Sequence, residues 1–213
     1  MSDRDRENTA VHESGHAAVS FRLFRRCGVV SIEPNEHWRG VTLFGRPELK
    51  LLTDREGPST FNRPAYLLSA PVRRKLEYAG MVYLGGPLAA QFMIPSARFG
   101  IDACEEAAME VAEVLAGPPQ LTSKEVAMLE AAKSPGDPDA EKAHSVASLL
   151  AGAPYGEPTL IAASEAWLRA ATIDLISRPP LPRMIEAIAE ELLRYTTLPG
   201  RTVREILQGA EGR

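Results

Sequence analysis

The pattern of apolar and polar positions predicts a mainly α-helical chain with one small β element. Apolar residues recur at helical spacing through residues 2–24, where Ser2 can cap a helix and acidic residues lie in its first turn. Two β-branched runs follow at 29–33 and 40–44, and they predict a hairpin or a pair of neighbouring strands. Helical patterns then return at 64–94, 102–115, 140–150, 159–176 and 182–195.

Glycines, prolines and capping residues predict where these helices begin and end. The segment 85–87, Gly-Gly-Pro, predicts that one helix ends and another begins with proline in its first turn. Capping boxes at 122–125 and 202–205 predict two further helix starts. The remaining prolines fall almost entirely between the predicted elements, which favours a mainly α-helical domain. The sequence shows no internal repeat.

The composition is that of a globular protein and argues against nucleic acid or an anionic membrane as a partner. The 213 residues are 45% hydrophobic, which is enough for a substantial core. A net charge of −4 lacks the clustered positive charge that phosphate backbones and anionic lipids require. No apolar run approaches the roughly 20 residues that span a bilayer. With two cysteines and no segment that resembles a secretory signal, we expect a cytoplasmic protein.

The segment 12–16, His-Glu-Ser-Gly-His, is the strongest chemical signal in the chain. Positions four apart share one face of a helix, so His12 and His16 can reach one metal ion, and this geometry suits zinc. Glu13 lies about 100° round the helix from His12. It is poorly placed as a third ligand but can reach a water in the open coordination position, which predicts a general base.

A chance match on an amphipathic helix is the alternative, with both histidines half-buried or solvated. Gly15 argues against it, because a glycine in the middle of a helix costs about 0.5–1 kcal/mol relative to alanine. Its presence predicts that another part of the protein packs close to the helix backbone. Cys27 and Cys104 are expected to be small buried residues without a chemical role.

Several separate segments resemble, in the same order, the proteolytic domain of the FtsH-type AAA+ zinc proteases. They are 9–17 (its zinc-binding helix), 30–34 and 39–42 (its strand pair), 84–90 (its helix with paired glycines), 100–102 (the segment with its aspartate ligand), and 184–193 and 198–207 (its C-terminal helical pair). The resemblance covers residues 8–115 and 160–208. Residues 116–158 show none.

The resemblance implies that zinc is bound by His12, His16 and Asp102, with Glu13 as the base. For Asp102 the alternative is an ordinary helix N-cap, which satisfies backbone N–H groups. Glu106, one turn later on the same helix face, is the reserve ligand.

The strand that follows the zinc helix is the predicted substrate-binding element. Proteases commonly bind substrate as an added strand along a sheet edge, which makes Val41, Thr42 and Leu43 the candidates. A strand that simply covers the zinc helix is equally compatible with these residues. His37 and His144 are more typical of ordinary surface histidines. Only His37, in the strand connection, has lining of the substrate cleft as an alternative.

The sequence departs from the family in three places. Ala90 and Gln91 stand where the family has two acidic residues, so an interaction that tunes the metal is missing or supplied elsewhere. The stretch before Asp102 is shortened. No ATPase module precedes the peptidase part, and we therefore expect cleavage of unstructured polypeptide without ATP.

The sequence thus predicts a zinc metalloendopeptidase that forms one domain over 1–213. Its parts are a metal-site region at 1–115, an unassigned helical insert at 116–158 and C-terminal helices at 159–213. The alternative function is an inactive zinc-containing binding or regulatory module of the same fold. A homo-oligomeric ring or a separate ATPase partner is compatible with the sequence, which indicates neither.

Overall fold

The computed structural model of the protein describes residues 2–34, 40–42, 69–94, 138–152 and 157–212. In chain order its elements are α1 (Asp3–Phe24), β1 (Val30–Ser31), β2 (Val41–Thr42), α2 (Ala70–Met93), α3 (Pro138–Leu150), α4 (Pro158–Ser177), α5 (Leu181–Tyr195), β3 (Thr197–Leu198) and α6 (Gly200–Glu211). This confirms the predicted fold class, mainly α-helical with a small sheet. None of these helices combines the length and apolar character needed to cross a membrane.

The first helix begins where its capping residues predict. Ser2 is the N-cap, and its Oγ accepts a hydrogen bond from the backbone N–H of Asp5 at 3.1 Å. The Asp5 carboxylate accepts in return from the backbone N–H of Ser2 at 3.3 Å, which completes a capping box. At the other end Arg25 adopts a left-handed conformation with φ of 55°, and its N–H donates to the carbonyl of Phe21. The helix therefore holds the segment 12–16 near its middle.

The small sheet confirms the predicted strand pair and adds a third strand. β1 lies in the centre and pairs antiparallel with both β2 and β3, so that Val30 faces Thr42 on one side and Leu198 on the other. The N–H of Ile32 extends the contact with the β3 side by donating to the carbonyl of Thr196 at 2.8 Å. The sequence pattern misses β3 because two residues directly after a helix are too few to show alternation.

The chain divides into two compact units, of which the first holds the predicted zinc helix. This unit comprises Met1–Pro47, Gly85–Gly100 and Thr172–Arg213. Within it α1 packs mainly against α5, whose buried residues recur every three or four positions. They are Leu181, Met184, Ile185, Ile188, Ala189 and Leu192. The expectation of one domain over 1–213 with three parts stays a prediction.

The second unit comprises Glu48–Leu84 and Ile101–Ala171. Here α2 comes close to α3 and α4 at Gly80, where a β-carbon would lie 2.8 Å from Leu168 Cδ1 and 3.2 Å from Val146 Cγ1. The helices therefore meet at a position that has no room for a side chain. The helices predicted at 102–115 and after 122 lie outside the described residues.

The predicted helix boundary at residues 85–87 is wrong. α2 runs without interruption through Pro87, which lies inside the helix. Gly85 and Ala89, on either side of the proline, both pack against Gly15 of α1. We attribute the continuity to this packing, which offsets the cost of a proline inside a helix, about 3 kcal/mol.

The predicted start of the last helix is also wrong. α6 begins at Gly200 with Pro199 as its N-cap, two residues before the predicted capping box at 202–205. The Glu205 carboxylate pairs with Arg201 at 2.9 Å, one helical turn away, and makes no cap. The chain enters this helix from β3, so the sheet sets where the helix begins.

Candidate metal and catalytic site

Two imidazole rings meet on one face of α1. The Nε2 atoms of His12 and His16 lie 3.1 Å apart, and the ring centroids lie 4.8 Å apart with the planes inclined at 77°. His16 is buried, with 4% of its surface exposed, whereas His12 is half-buried. The four-residue spacing brings two ring nitrogens together, as the helical geometry predicts.

The separation of these nitrogens fits a shared zinc ion. Histidine nitrogens bind zinc at about 2.0–2.1 Å, and two ligands of a tetrahedral site then lie about 3.3 Å apart. The observed 3.1 Å between the His12 and His16 nitrogens is close to that value. In the absence of metal the same distance permits a hydrogen bond from one Nε2–H to the other ring. Imidazole ligands suit zinc, although copper, iron and nickel use them too.

The carboxylate of Glu13 is buried and held from outside the helix. Only 6% of the Glu13 surface is exposed. The hydroxyl of Thr42 in β2 lies 2.7 Å from Glu13 Oε2 and 2.9 Å from the carbonyl oxygen of the same residue. Gly40, just before this strand, passes so close that a β-carbon there would lie 2.8 Å from Glu13 Cγ. The segment 40–42 therefore covers the carboxylate and leaves it little freedom to turn.

Gly15 lies at a position where α1 packs closely against α2. A β-carbon at this position would come within 2.5 Å of the Ala89 β-carbon and would also overlap the main-chain oxygen of Gly85. The close packing that the mid-helix glycine predicts is thus confirmed. The helices can approach this closely because α1 has no side chain at position 15.

Gly86 of α2 makes room for the imidazole ring of His16. A β-carbon at Gly86 would lie 2.6 Å from Cδ2 and 2.7 Å from Cε1 of His16, and it would overlap Nε2. The imidazole therefore lies directly against the backbone of α2. Its orientation depends on position 86 having no side chain.

Several predicted site residues fall where the structure gives no description. Asp102, its reserve Glu106, Leu43, His37 and Cys104 all lie outside the described residues. Among the described residues of the first unit, no further histidine, cysteine or carboxylate forms a set of three ligands with the histidine pair. The assignment of Asp102 as third ligand therefore stays a prediction, as does the role of Leu43.

Thr42 and Val41 lie in β2, which is an edge strand in the described part of the sheet. The Thr42 side chain turns towards Glu13, and because successive strand residues alternate, Val41 points to the opposite face. The sequence predicts both as substrate-binding residues but contains no signal for the contact between Thr42 and Glu13. It also gives no sign of the contacts that Gly40 and Gly86 make.

The other histidine and cysteine among the described residues, His144 and Cys27, have surroundings that require no chemical role. His144 Nδ1 pairs with Glu165 Oε1 in the second unit, and its side chain is 42% exposed, as expected of a surface histidine. Cys27 is buried with 4% exposure, which confirms the expected packing role. Burial raises the pKa of the Cys27 thiol from 9.0 to about 12, since desolvation disfavours the thiolate.

Comparison with known proteins adds no relative. The sequence matches no protein-family model, and no curated protein is significantly similar to it. The likeness to the FtsH-type peptidases therefore rests on the motifs described above.

Proposed function

We propose that the protein is a zinc-dependent metalloendopeptidase related to the proteolytic domain of the FtsH-type proteases. The observation that carries this proposal is the meeting of the His12 and His16 nitrogens, 3.1 Å apart, on the helix that also bears the buried Glu13. A chance motif on an amphipathic helix would leave the histidines half-buried or solvated and Glu13 on a polar face. Here the second histidine and the glutamate are enclosed, which favours a built site.

In this proposal His12, His16 and Asp102 hold the metal, and Glu13 acts as general base. Bound zinc would lower the pKa of a water molecule towards about 7 and polarise the scissile carbonyl. Glu13 takes a proton from the attacking water as the water oxygen bonds to the carbonyl carbon. It then passes that proton to the leaving nitrogen as the carbon–nitrogen bond breaks, so the carboxylate ends the cycle ionised.

The proposed substrate is an unstructured polypeptide laid along the edge of β2. Backbone hydrogen bonds from Val41, Thr42 and Leu43 would bind it without dictating its sequence. Unfolding a typical domain costs about 5–15 kcal/mol, which a passive cleft cannot supply. We therefore expect this chain to cut flexible segments without ATP, and folded proteins only when a separate ATPase unfolds them.

The test combines metal analysis with cleavage of fluorescein-labelled casein by the purified chain. We expect one zinc per chain and cleavage that a chelator abolishes and added zinc restores. Glu13→Gln should keep its zinc and fold and lose turnover by roughly 10²–10⁴-fold. Glu186→Gln is the matched control, because Glu186 is an exposed glutamate on α5.

Two outcomes would contradict the proposal. Wild-type turnover in Glu13→Gln would remove Glu13 from the mechanism. Stoichiometric zinc without cleavage of casein, with or without ATP, would favour a zinc-containing binding or regulatory module instead.

A further inference from the structure

Thr42 makes two contacts with one residue of the zinc helix. Its Oγ1 lies 2.7 Å from the carboxylate oxygen Oε2 of Glu13 and 2.9 Å from the Glu13 main-chain oxygen. A hydroxyl has one hydrogen to donate and can also accept. Thr42 can therefore donate to only one of these two oxygens at a time.

Either contact fixes Glu13 from a segment outside α1. Donation to Oε2, 2.7 Å away, sets the direction of the carboxylate, and donation to the main-chain oxygen, 2.9 Å away, ties the same segment to the helix backbone. The hydroxyl changes between the two acceptors by rotating, and no heavy atom has to move.

We infer that Thr42 is a positioning residue that holds the Glu13 carboxylate in the orientation its catalytic role requires, an inference that rests on the proposed function. Gly40 supports it from the same segment. A β-carbon at Gly40 would lie 2.9 Å from Oε1 of Glu13, so any side chain there would press on the oxygen that Thr42 does not hold. Segment 40–42 thus anchors one oxygen and keeps a side chain away from the other.

A purely structural role is the competing explanation, in which the hydroxyl only ties β2 to α1. The same sheet offers a matched case, since Thr197 in β3 bonds through its hydroxyl to Ser31 Oγ at 2.7 Å. That bond joins two strands and touches no residue of the proposed site. Loss of the Thr197 hydroxyl therefore measures what a sheet threonine contributes to folding alone.

The experiment measures kcat and KM of the zinc-loaded full chain on fluorescein-labelled casein for Thr42→Val, Thr42→Ser and Thr197→Val. Thr42→Val should lower kcat about tenfold or more with unchanged KM and zinc content, because the carboxylate loses its anchor. Thr42→Ser keeps the hydroxyl and should stay within a few-fold of wild type. Thr197→Val should do the same, and in a Glu13→Gln background Thr42→Val should lower kcat no further.

A wild-type kcat in Thr42→Val, or equal loss in Thr42→Ser, would overturn the inference while leaving the proposed function intact. If the wild-type chain cleaves nothing, the proposed function fails. Urea unfolding of the metal-free protein then tests whether the Thr42 hydroxyl holds the Glu13 carboxylate. Thr42→Val should then lower the urea midpoint more in the wild-type background than in Glu13→Ala. Equal shifts in the two backgrounds would show that the hydroxyl does not hold the carboxylate.

Discussion

The imidazole of His16 lies directly against the backbone of Gly86, where a β-carbon would come within 2.6 Å of the ring Cδ2. The contact joins a proposed metal ligand on α1 to the paired glycines of α2. It gives a physical reason for a glycine inside that helix, where it costs about 1 kcal/mol relative to alanine. The His16 ring can lie against α2 only because residue 86 has no side chain.

Gly86→Ala is therefore expected to weaken zinc binding, because the new methyl group must push the His16 ring aside. We expect about a tenfold or greater loss of zinc affinity, the scale of effects seen when the support of a metal ligand is altered. Zinc titration against a competing chelator measures it. Gly209→Ala is the control, since nothing lies within 4 Å of a β-carbon at Gly209 in α6. Unchanged zinc affinity in Gly86→Ala would show that the ring position does not depend on this glycine.

Gly15→Ala should destabilise the fold although alanine is the better helix former. The gain in helix propensity is at most about 1 kcal/mol, whereas overpacking typically costs about 1–3 kcal/mol. The main-chain oxygen of Gly85 cannot move aside as a flexible side chain would. Urea unfolding should show a lower midpoint for Gly15→Ala and a slightly higher one for Gly209→Ala. A midpoint at or above that of the wild type would mean that the helices separate without cost.

The ligand assignment predicts a graded loss of zinc across three variants. His12→Ala and His16→Ala should each lose stoichiometric zinc, whereas Asp102→Ala should retain weakened binding. Zinc analysis after dialysis measures the three. Wild-type zinc affinity in Asp102→Ala would remove Asp102 from the ligand set. Stoichiometric zinc in the double histidine variant would refute the site.

Cys27 is expected to react slowly with thiol reagents in the folded protein. Burial raises the pKa of its thiol from 9.0 to about 12. At pH 8 the thiolate fraction is therefore about a thousandfold smaller than that of an exposed cysteine. A Cys104→Ser variant leaves Cys27 as the single cysteine of the chain. Its reaction with a disulfide reagent at pH 8 should be slow when folded and fast in urea. Equal rates in the two states would show that the thiol is accessible.

The ion pair between the end of α1 and the end of α6 predicts an acid-sensitive contribution to stability. A hydrogen bond from Arg25 to Glu211, at 2.6 Å, lowers the pKa of the Glu211 carboxyl below its ordinary 4.5. The contribution is therefore present above that pH and is lost as the pH falls through the lowered pKa. Glu211→Gln should lower the urea midpoint slightly at pH 7, and the difference from wild type should vanish once the pH falls below the lowered pKa of Glu211.

Glu205→Gln is the control for this effect. Glu205 pairs with Arg201 within one turn of α6, so the pair joins no separate elements. Its loss should change the midpoint less than the loss of Glu211, which links α6 to the end of α1. A pH-independent difference between Glu211→Gln and wild type would show that the ion pair is not responsible.

Local rules were enough for much of this protein. The capping box of Ser2 and Asp5 places the start of α1, and helical spacing alone brings His12 and His16 onto one face. The mainly helical class and the strand pair also follow from periodicity. Gly15 also indicates a tertiary contact, because a glycine destabilises an isolated helix. It predicts that another segment packs closely there but does not identify that segment.

Contacts between distant segments decided the rest, because they depend on which faces meet and leave no local pattern. Packing of Gly85 and Ala89 on α1 accompanies the continuous course of α2 through Pro87, where local propensity predicts a break. Thr42 reaches Glu13 across 29 positions of sequence, and nothing about a threonine in a short strand identifies that partner. β3 forms because Thr197 and Leu198 follow α5 at a position beside β1, where their backbone groups pair with those of β1.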